Sequence, residues 1–565
     1  MKRRWTYRLL VITGILILLV LALVLTFNLV TRIDYPVPQD ERALQLKVEN
    51  PEPDFFTIGP NWLKKSESGL WEMYIEGKPF DRGVINGKLS RHLIEFQEQA
   101  FIDRIRQIIP SDAYLRFLKY AIYWFNRDLD QHIPKEFRLE IFGISFAASD
   151  RFSFIGNAYQ RILNYHSAHD IGHALQDLSM VGCTSFSVRN GMSSAQSLLI
   201  GRNFDFYSGD DFAKNKIILF EKPDNGHAFM MITWGGMVGA VSGMNEQGLT
   251  VTINAAKSKI PGSARTPISI LAREILQYAS TIREAYAIAS KREIFVSESI
   301  LVGSDKDNAT AIIEKSPDKM ALVMTQNDYI TCTNHFQSKI YANDPRAAQD
   351  RQESPSLYRQ RRLVQLINDH SPLTVEEMAL ILRDRQGLNG KEIGMGNEKA
   401  VNQLIAHHSV IFMPRQRLVW VSTQPWQLGS YVCYDLYKIF HKFAGLQHKI
   451  EITETDLNIA PDPFLESGEY HRFVRFLEIR NRIRSALRSG NVDLMTRSFM
   501  DQFRTTNPLS FEVYELAGDI FYKKNRWNDA CHEYRHALRL EIPRWQEKER
   551  IIKKLADCEI KESCK

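Results

Sequence analysis

A cysteine among small residues is the first position in this sequence that could carry out chemistry. Cys183 follows Gly182 and precedes Thr184 and Ser185, so little side-chain bulk surrounds its thiol. A single cysteine is more often a small buried residue than a nucleophile. The polar residues that follow it along the chain decide between these two roles.

Charged and amide side chains follow the cysteine in three short segments. The first holds Arg202 and Asp205, and the second is a tight turn leading into a strand that ends at Asn254. The third, residues 331–336, contains Asn334. A cation favours a thiolate, and amides can donate hydrogen bonds to an oxyanion. Each residue alone could instead form an ion pair, cap a turn or lie in a loop, but their shared order favours a catalytic site.

The same segments form an ordered set of motifs. They are Gly-Cys-Thr at 182–184, R-N-x-D at 202–205, G-x-N-E-x-G-L at 243–249, T-N-H-F at 333–336 and S-x-x-R at 356–359. This set resembles the cysteine N-terminal-nucleophile (Ntn) hydrolases, which include bile-salt hydrolases, penicillin V acylase and acid ceramidase. It is most similar to the isopenicillin N acyltransferase-like branch, peptidase family C45. The resemblance covers about residues 70–440 and includes an opening strand and turn at 74–83.

The resemblance implies a fold and a reaction. The fold would be α+β, a four-layer αββα sandwich. The chain would cut itself between Gly182 and Cys183, and the freed α-amine, with an ordinary pKa near 8, would be the base. The substrate would be a small-molecule N-acyl amide, hydrolysed or used for acyl transfer through an acyl-cysteine intermediate. Neither a catalytic histidine nor a cofactor is implied.

The resemblance also assigns roles to the polar side chains. Arg202 and Asp205 would orient the amine and the thiol of the nucleophile. Asn254 and Asn334 would donate hydrogen bonds to the oxyanion of the tetrahedral intermediate. Arg359, from the last motif, would complete the polar site.

Two other functions fit parts of the sequence. A papain-type cysteine protease would pair Cys183 with His335 as its base, although the residues around Cys183 lack the C-G-S-C-W pattern. A non-enzymatic membrane scaffold would use the C-terminal helices to bind a protein partner. Only the Ntn hypothesis predicts a new N-terminus at Cys183.

Three histidines just before the nucleophile suggest a metal site. His166, His169 and His173 recur at helical spacing, with Asp170 among them. Zinc is held by such side chains, but neither a cysteine nor an H-E-x-x-H pattern accompanies them. Packing or local hydrogen bonding is the favoured role, and the sequence predicts no metal.

Composition restricts the class of protein. The 565 residues exceed one ordinary domain, and 44% hydrophobic with 24% charged residues is typical of a folded chain. The net charge of +6 is small and spread along the chain, which gives no case for nucleic acid. Six cysteines in this length are not a disulfide framework, although Cys531, Cys558 and Cys564 could supply one bridge.

The pattern of the N-terminal segment predicts a membrane anchor. Basic residues precede an uncharged run from Leu9 to Thr31, which is closed by Arg32. A helix of this length can cross a bilayer, and the run lacks the small-residue cleavage site of a signal peptide. Because basic flanks stay in the cytoplasm, the catalytic domain is expected on the exterior side, periplasmic in a bacterium.

Local patterns then divide the chain into five parts. Residues 1–32 are the basic flank and anchor, 33–68 a proline-rich linker, and 69–182 a mainly helical segment. Strands, helices and again strands over 183–455 indicate the catalytic domain. Residues 456–565 are helical and contain one hairpin spaced like a tetratricopeptide repeat (TPR) or an ordinary helical hairpin.

Overall fold

The computed structural model describes residues 2–108, 111–174, 182–207, 209, 211–259 and 262–563, without the side chains of 2–4, 6, 108, 112, 168–169 and 171–174. The helices in this part of the chain are α1 (Lys2–Val30), α2 (Pro79–Leu89), α3 (Arg91–Ile108), α4 (Asp112–Phe125), α5 (Lys135–Ser145), α6 (Ala158–Ala174), α7 (Ile268–Tyr278), α8 (Ile282–Lys291), α9 (Pro345–Glu353), α10 (Ser356–His370), α11 (Val375–Leu382), α12 (Leu436–Lys442), α13 (Gly468–Ser489), α14 (Arg497–Thr506), α15 (Phe511–Lys523), α16 (Trp527–Ala537) and α17 (Trp545–Ser563).

The strands of the same residues form two sheets. They are β1 (Glu49–Glu52), β2 (Phe55–Ile58), β3 (Asn61–Lys65), β4 (Trp71–Gly77), β5 (Thr184–Val188), β6 (Leu199–Phe204), β7 (Ile217–Pro223), β8 (Phe229–Thr233), β9 (Ser242–Asn245), β10 (Leu249–Ala255), β11 (Glu298–Ser304), β12 (Ala309–Lys315), β13 (Met320–Val323), β14 (Tyr329–Cys332), β15 (His408–Met413), β16 (Leu418–Ser422) and β17 (Tyr431–Asp435). The large sheet has the order β1-β2-β3-β4-β7-β8-β9-β10-β11-β12-β13, and the small sheet β14-β5-β6-β15-β16-β17.

The two sheets pack face to face, and the strand period of two decides which side chains lie between them. On β7, Ile218 and Phe220 belong to the cluster shared with the small sheet. Ile217 and Leu219, which point the other way, pack among the helices that cover the large sheet. Strands buried on both faces therefore read as continuous apolar runs. Mixed α and β structure agrees with the predicted α+β class.

Helices cover the outer faces of both sheets. α2, α5, α6, α7 and α8 supply apolar residues to the cluster on the large sheet. α10 and α11 do the same on the small sheet, where Leu363 and Met378 pack with Phe186. Cys183 thus directly precedes β5, and the R-N-x-D motif lies at the end of the neighbouring strand β6, in a sheet that is covered on both sides.

The stretch expected to be a linker, 33–68, instead contains three strands. β1, β2 and β3 form one end of the large sheet and pair in antiparallel register up to β4. Trp62 is fully buried and donates its indole N–H to Phe443 O at 2.8 Å. Nearby, buried Lys64 pairs with Glu72, which also accepts from Tyr434 Oη at 2.8 Å. These contacts fold the stretch onto the catalytic region.

The expected boundary between 69–182 and 183–455 also crosses the large sheet. β4 lies before the boundary and pairs in parallel with β7 after it, with Trp71 opposite Ile217. A parallel pair needs a long crossover connection, which local patterns do not reveal. The two stretches are therefore joined by main-chain hydrogen bonds along one strand pair.

The N-terminal helix contains a segment, Tyr7–Val30, long and apolar enough to cross a membrane. Near its end Phe27 contacts two aromatic residues of α4, with ring centroids 5.8 Å from Tyr120 and 6.4 Å from Trp124. α4 is capped by Ser111, whose side chain accepts from the Tyr114 N–H. Tyr120 and Trp124 are about half exposed, so α1 and α4 present a shared aromatic surface.

The C-terminal residues form a helical unit with its own core. α15 and α16 make a hairpin in which Gly518 faces the ring of Tyr534, and a Cβ there would lie 2.4 Å from the ring. The thiols of Cys531 and Cys558 are 2.7 Å apart, and Cys564 lies outside the described residues. A helical C-terminus agrees with the sequence, and its likeness to a tetratricopeptide repeat stays a prediction.

The buried indole at the start of the sheet can be tested. Trp62→Ala should lower the free energy of unfolding by about 3–5 kcal/mol, because it removes a fully buried aromatic side chain and its hydrogen bond. Val37→Ala, at a residue that is 78% exposed in the same stretch, should change stability by less than about 0.5 kcal/mol. Thermal and urea unfolding of both variants gives the comparison. Equal free energies of unfolding for the two variants would show that the stretch is a linker after all.

Candidate active site

Cys183 lies directly before β5 and is completely buried. β5 pairs with β6 in antiparallel register, so that Ser185 is opposite Arg202. This register carries the R-N-x-D motif back beside the nucleophile. Strand alternation then directs Arg202 toward the layer between the two sheets.

Arg202 connects the nucleophile to the large sheet. Its Nη2 donates to Cys183 Sγ at 3.6 Å and also to Ile253 O. Its Nη1 donates to Val241 O at 2.5 Å and to Ser242 Oγ. The guanidinium is therefore fixed by acceptors from the opposite sheet while one nitrogen faces the sulfur.

Asp205 lies on the other side of the nucleophile. Its backbone carbonyl accepts from the Gly182 N–H at 2.9 Å, which holds the bond before Cys183 against the end of β6. Burial raises the pKa of its carboxyl to about 7, opposed by the charges of Arg359 and Arg202. Oδ1 is buried and makes no hydrogen bond with the described residues. A new α-amine beside it would find an acceptor.

The two asparagines reach the site from different segments. Asn254, at the end of β10, accepts from Ser185 Oγ at 2.8 Å and donates to Cys332 O at 3.0 Å. Asn334 follows β14 and donates to Ala255 O at 3.1 Å. Both amides therefore lie around the start of β5. In this structure each amide is hydrogen-bonded to other groups.

Arg359 is the last of the site residues selected from the sequence. It is on α10, buried, and its Nη2 donates to Asn334 Oδ1 at 2.5 Å and to Cys183 O at 3.3 Å. Its Nη1 donates to Glu398 O at 2.7 Å. The structure thus brings together all of the residues selected from the sequence, although they span more than 170 positions in the chain.

One residue at the site was missed by sequence reasoning. Gln403 is buried, and its Nε2 donates to Gly182 O at 2.5 Å and to Asp205 Oδ2 at 3.4 Å. It lies in the irregular segment between α11 and β15, where no motif or periodicity marks it. No signal in the sequence alone would have found it.

The protonation of the thiol follows from its surroundings. Burial raises the pKa of Cys183 to about 11, assisted by the negative charges of Asp205 and Glu298 and opposed by Arg202. The thiol of the uncut chain is therefore neutral at pH 7. A base must remove its proton before it can attack, and an α-amine of Cys183 becomes available only after cleavage.

The two histidine hypotheses fare differently. His335 bonds through Nδ1 to Ser356 Oγ at 2.8 Å and Thr333 Oγ1 at 3.2 Å, and burial lowers its pKa to about 4. None of its hydrogen bonds in the described structure reaches Cys183, so the geometry gives the papain-type alternative no support. A weak base at this position would also be ill matched to neutral pH.

His166 has both ring nitrogens occupied. Nε2 accepts from the Val238 N–H at 2.9 Å, so Nδ1 carries the proton and donates to Ile162 O at 2.8 Å. The side chains of His169 and His173 lie outside the described residues. His166 is therefore a satisfied core histidine.

The central part of the chain matches a known family. Residues 192–424 match the family model described as acyl-coenzyme A:6-aminopenicillanic acid acyl-transferase. This stretch contains the four later motifs, and Gly182 and Cys183 precede it. The resemblance to acyltransferase-like proteins is therefore confirmed over these residues.

Relatives of the chain include amide hydrolases. An uncharacterized protein of Archaeoglobus fulgidus is 23% identical over 339 residues, 54% of this chain and 55% of that protein. The N-acylethanolamine-hydrolyzing acid amidase of Caenorhabditis elegans is 26% identical over 226 residues, 38% of this chain and 59% of that protein. The chain thus spans between half and three fifths of these curated relatives.

Solved structures are similar at low identity. A Caenorhabditis elegans N-acylethanolamine-hydrolyzing acid amidase ortholog is 18% identical, with a TM-score of 0.30, and the match covers 41% of this chain and 93% of that one. A conjugated bile acid hydrolase from Clostridium perfringens is 13% identical, with a TM-score of 0.28, covering 48% and 98%.

The role of His335 can be tested directly. His335→Gln should keep activity within about tenfold, because an amide can still bond to Ser356 and no proton passes through the ring. Loss of the base in a protease triad would lower kcat on the order of 10⁶-fold. Turnover of an N-acyl amide by the variant decides between them, with Cys183→Ala as the inactive reference under both hypotheses. A loss of that size in a folded His335→Gln variant would restore the papain-type assignment.

Proposed function

We propose that the protein is a self-processing cysteine Ntn amidohydrolase or acyltransferase acting on a non-peptide N-acyl amide. The observation that carries the proposal is that residues of the separated R-N-x-D and S-x-x-R motifs contact Gly182 and Cys183. Arg202 faces the sulfur, Asp205 holds Gly182, and Arg359 donates to the carbonyl of Cys183. The acyl-transferase family match over 192–424 supports the same reaction class.

Cleavage before Cys183 would create the catalytic base. The new α-amine would remove the proton from its own thiol, and the thiolate would attack the substrate carbonyl to form an acyl-cysteine. Arg202 would stabilise the thiolate, and Asp205 would hold the amine through its free Oδ1. Water would then release the acid, or an amine would take the acyl group.

Substrate turnover also needs donors for the oxyanion. Asn254 and Asn334 are the candidates, because their amides lie beside the start of β5 and are held by neighbouring groups. Each such donor stabilises the transition state by roughly 3 kcal/mol. Arg359 would fix the orientation of Asn334 through its bond to Oδ1.

The substrate class is proposed at the level of an N-acyl amide. The relative named for N-acylethanolamine hydrolysis supports a lipid-like acyl group. A panel of N-acyl amino acids, N-acylethanolamines and penicillins, each with and without an amine acceptor, would separate substrate preference and hydrolysis from acyl transfer.

The finer architecture is part of the same proposal. The two packed sheets with helices on both outer faces would form the αββα sandwich. α1 would remain as an uncleaved anchor, supported by the packing of Phe27 on α4, and the catalytic domain would lie on the exterior side. The C-terminal hairpin would be the TPR-like element, and its helices would bind a protein partner.

The proposal predicts two polypeptides from one chain. Wild-type protein should separate on denaturing gels into residues 1–182 and 183–565, with Cys183 as the N-terminus of the second piece in Edman sequencing. Cys183→Ala should remain one band, because it lacks the attacking thiol. An enzyme that is active while uncut would refute the mechanism.

Asp205 should control the pH dependence of the processed enzyme. A carboxylate stabilises a neighbouring ammonium and so raises the pKa of the amine. Asp205→Asn should therefore lower the pKa of the amine and move the alkaline-dependent rise of kcat/KM to lower pH, besides reducing the rate. Only material cut at Cys183 is compared, and an unchanged pH profile would contradict the assignment.

Asn254 provides the matched uncharged variant. Asn254→Ala, once processed, should lower kcat about 100-fold or more with little change in KM and no shift in the pH profile, because a neutral amide acts on the transition state. Near-normal turnover by processed Asn254→Ala would remove this residue from the oxyanion site.

Membrane topology has its own test. In a bacterial host, protease added to intact spheroplasts should digest the catalytic domain, since the basic flank before Leu9 stays in the cytoplasm. A cytoplasmic marker protein must survive the same treatment. Protection of the domain until the spheroplasts are lysed would place it on the other side.

A further inference from the structure

A buried glutamine contacts the carbonyl that self-cleavage would attack. Gln403 is 1% exposed, and its Nε2 lies 2.5 Å from Gly182 O and 3.4 Å from Asp205 Oδ2. Both partners are hydrogen-bond acceptors, so the nitrogen of the amide must face them. Among the described residues, the carbonyl before the nucleophile thus has a side-chain donor already aimed at it.

We propose that Gln403 is the oxyanion donor for self-cleavage before Cys183, a catalytic residue of processing. This role rests on the proposed self-cleavage and adds to it the group that stabilises the developing charge. It lies outside the five motifs, in the segment 391–403, here called the glutamine loop.

The chemistry places negative charge on the atom that Gln403 contacts. Cys183 Sγ bonds to the carbonyl carbon of Gly182, whose oxygen takes up the negative charge. The C–N bond then breaks, and the nitrogen of Cys183 takes up the proton that the thiol lost when it attacked, becoming the α-amine and leaving a thioester. Water adds to the thioester and displaces the sulfur, which frees the Gly182 carboxyl group and restores the thiol. The same oxygen is therefore anionic in both tetrahedral intermediates.

The other amides at the site do not contact this oxygen in the uncut chain. Asn254 donates to Cys332 O at 3.0 Å, and Asn334 donates to Ala255 O at 3.1 Å. Processing and substrate turnover would thus use different donors.

Glycine at 182 makes the contact possible. A Cβ at this position would lie 2.4 Å from Gln403 Oε1 and 2.6 Å from Nε2, so any side chain would displace the amide. Glycine is then required at position 182 for two reasons: it leaves room for the thiol to reach the Gly182 carbonyl, and it leaves room for the Gln403 amide.

The backbone on either side of Gln403 is fixed before the reaction. The N–H of Asn402 donates to Asp384 O at 2.8 Å, and its Nδ2 donates to Arg383 O at 3.3 Å. Asn402 Oδ1 in turn accepts from the Leu404 N–H at 2.9 Å. A donor held in place needs no reorganisation as charge develops, which is the condition for effective oxyanion stabilisation.

The full-length chain is synthesised in a cell-free system with detergent. Its cleavage is then followed over time on denaturing gels. Gln403→Ala should slow cleavage about 10²–10³-fold relative to wild type. Gln427→Ala is the matched control, because Gln427 is also buried and its amide donates elsewhere, to Leu382 O at 3.4 Å. This control should cut at the wild-type rate.

A second variant distinguishes a donor from a packing residue. Gln403→Glu keeps the size of the side chain but donates only when protonated, and burial beside Asp205 raises the pKa of the new carboxyl. The ratio of wild-type to variant cleavage rates should therefore be large at pH 8 and shrink steadily toward pH 5. Loss of packing alone would give a ratio that does not change with pH.

Each outcome decides the matter. Slow cutting by Gln403→Ala with normal cutting by Gln427→Ala and a pH-dependent ratio for Gln403→Glu supports the role. If the wild-type protein and Gln403→Ala are cleaved at the same rate, only the role of Gln403 is overturned. Wild-type protein that never cuts overturns the proposed self-cleavage itself, and with it this donor.

Discussion

A fully buried arginine between two sheets is the constraint on which the site depends. Arg202 has no exposed surface, and the two Nη atoms of its guanidinium donate to Val241 O, Ser242 Oγ and Ile253 O, which lie in or directly before strands of the opposite sheet. An unpaired guanidinium in this layer would cost several kcal/mol, so the two sheets are stable only in the arrangement that supplies these acceptors. The same arrangement places Nη2, which donates to Ile253 O, 3.6 Å from Cys183 Sγ. The position of the nucleophile is thus a consequence of sheet packing.

The uncut chain has a closed and neutral nucleophile. Cys183 is buried, its pKa is raised to about 11, and the carboxyl of Asp205 has a pKa of about 7 from burial. In the proposed mechanism, cleavage adds an amine beside this carboxyl, and the pair of opposite charges relieves the cost of burying either one alone. Activation would therefore be electrostatic, since one broken bond would supply the base beside a carboxyl that is already in place.

The sequence selected side chains that the structure brings together, but it did not reveal the strands that join the expected segments. The order of motifs identified Arg202, Asp205 and Asn254, of which Arg202 and Asn254 lie in strands and Asp205 directly follows β6. The strands within 33–68 were not predicted, because the prolines of this stretch resemble a linker; Pro51 is the one that lies in a strand, the edge strand β1, where proline is tolerated. Gln403 could not be found, since an irregular loop brings it to the site and no local periodicity records that path.

The C-terminal helices gain an intramolecular role from the position of the glutamine loop. Asn507, 1% exposed, donates to Met395 O at 2.9 Å and accepts from the Met395 N–H at 3.1 Å, so both polar groups of its side chain bind the loop. Arg544 pairs with Glu398, whose carbonyl accepts from Arg359. The side chains of Arg544 and Glu398 are only 18% and 22% exposed, and a buried amide that loses its partners costs about 1–3 kcal/mol, so both contacts restrain the loop. Helices remote in sequence from the nucleophile thus hold the loop that contacts the bond to be cut, and this requires no external partner.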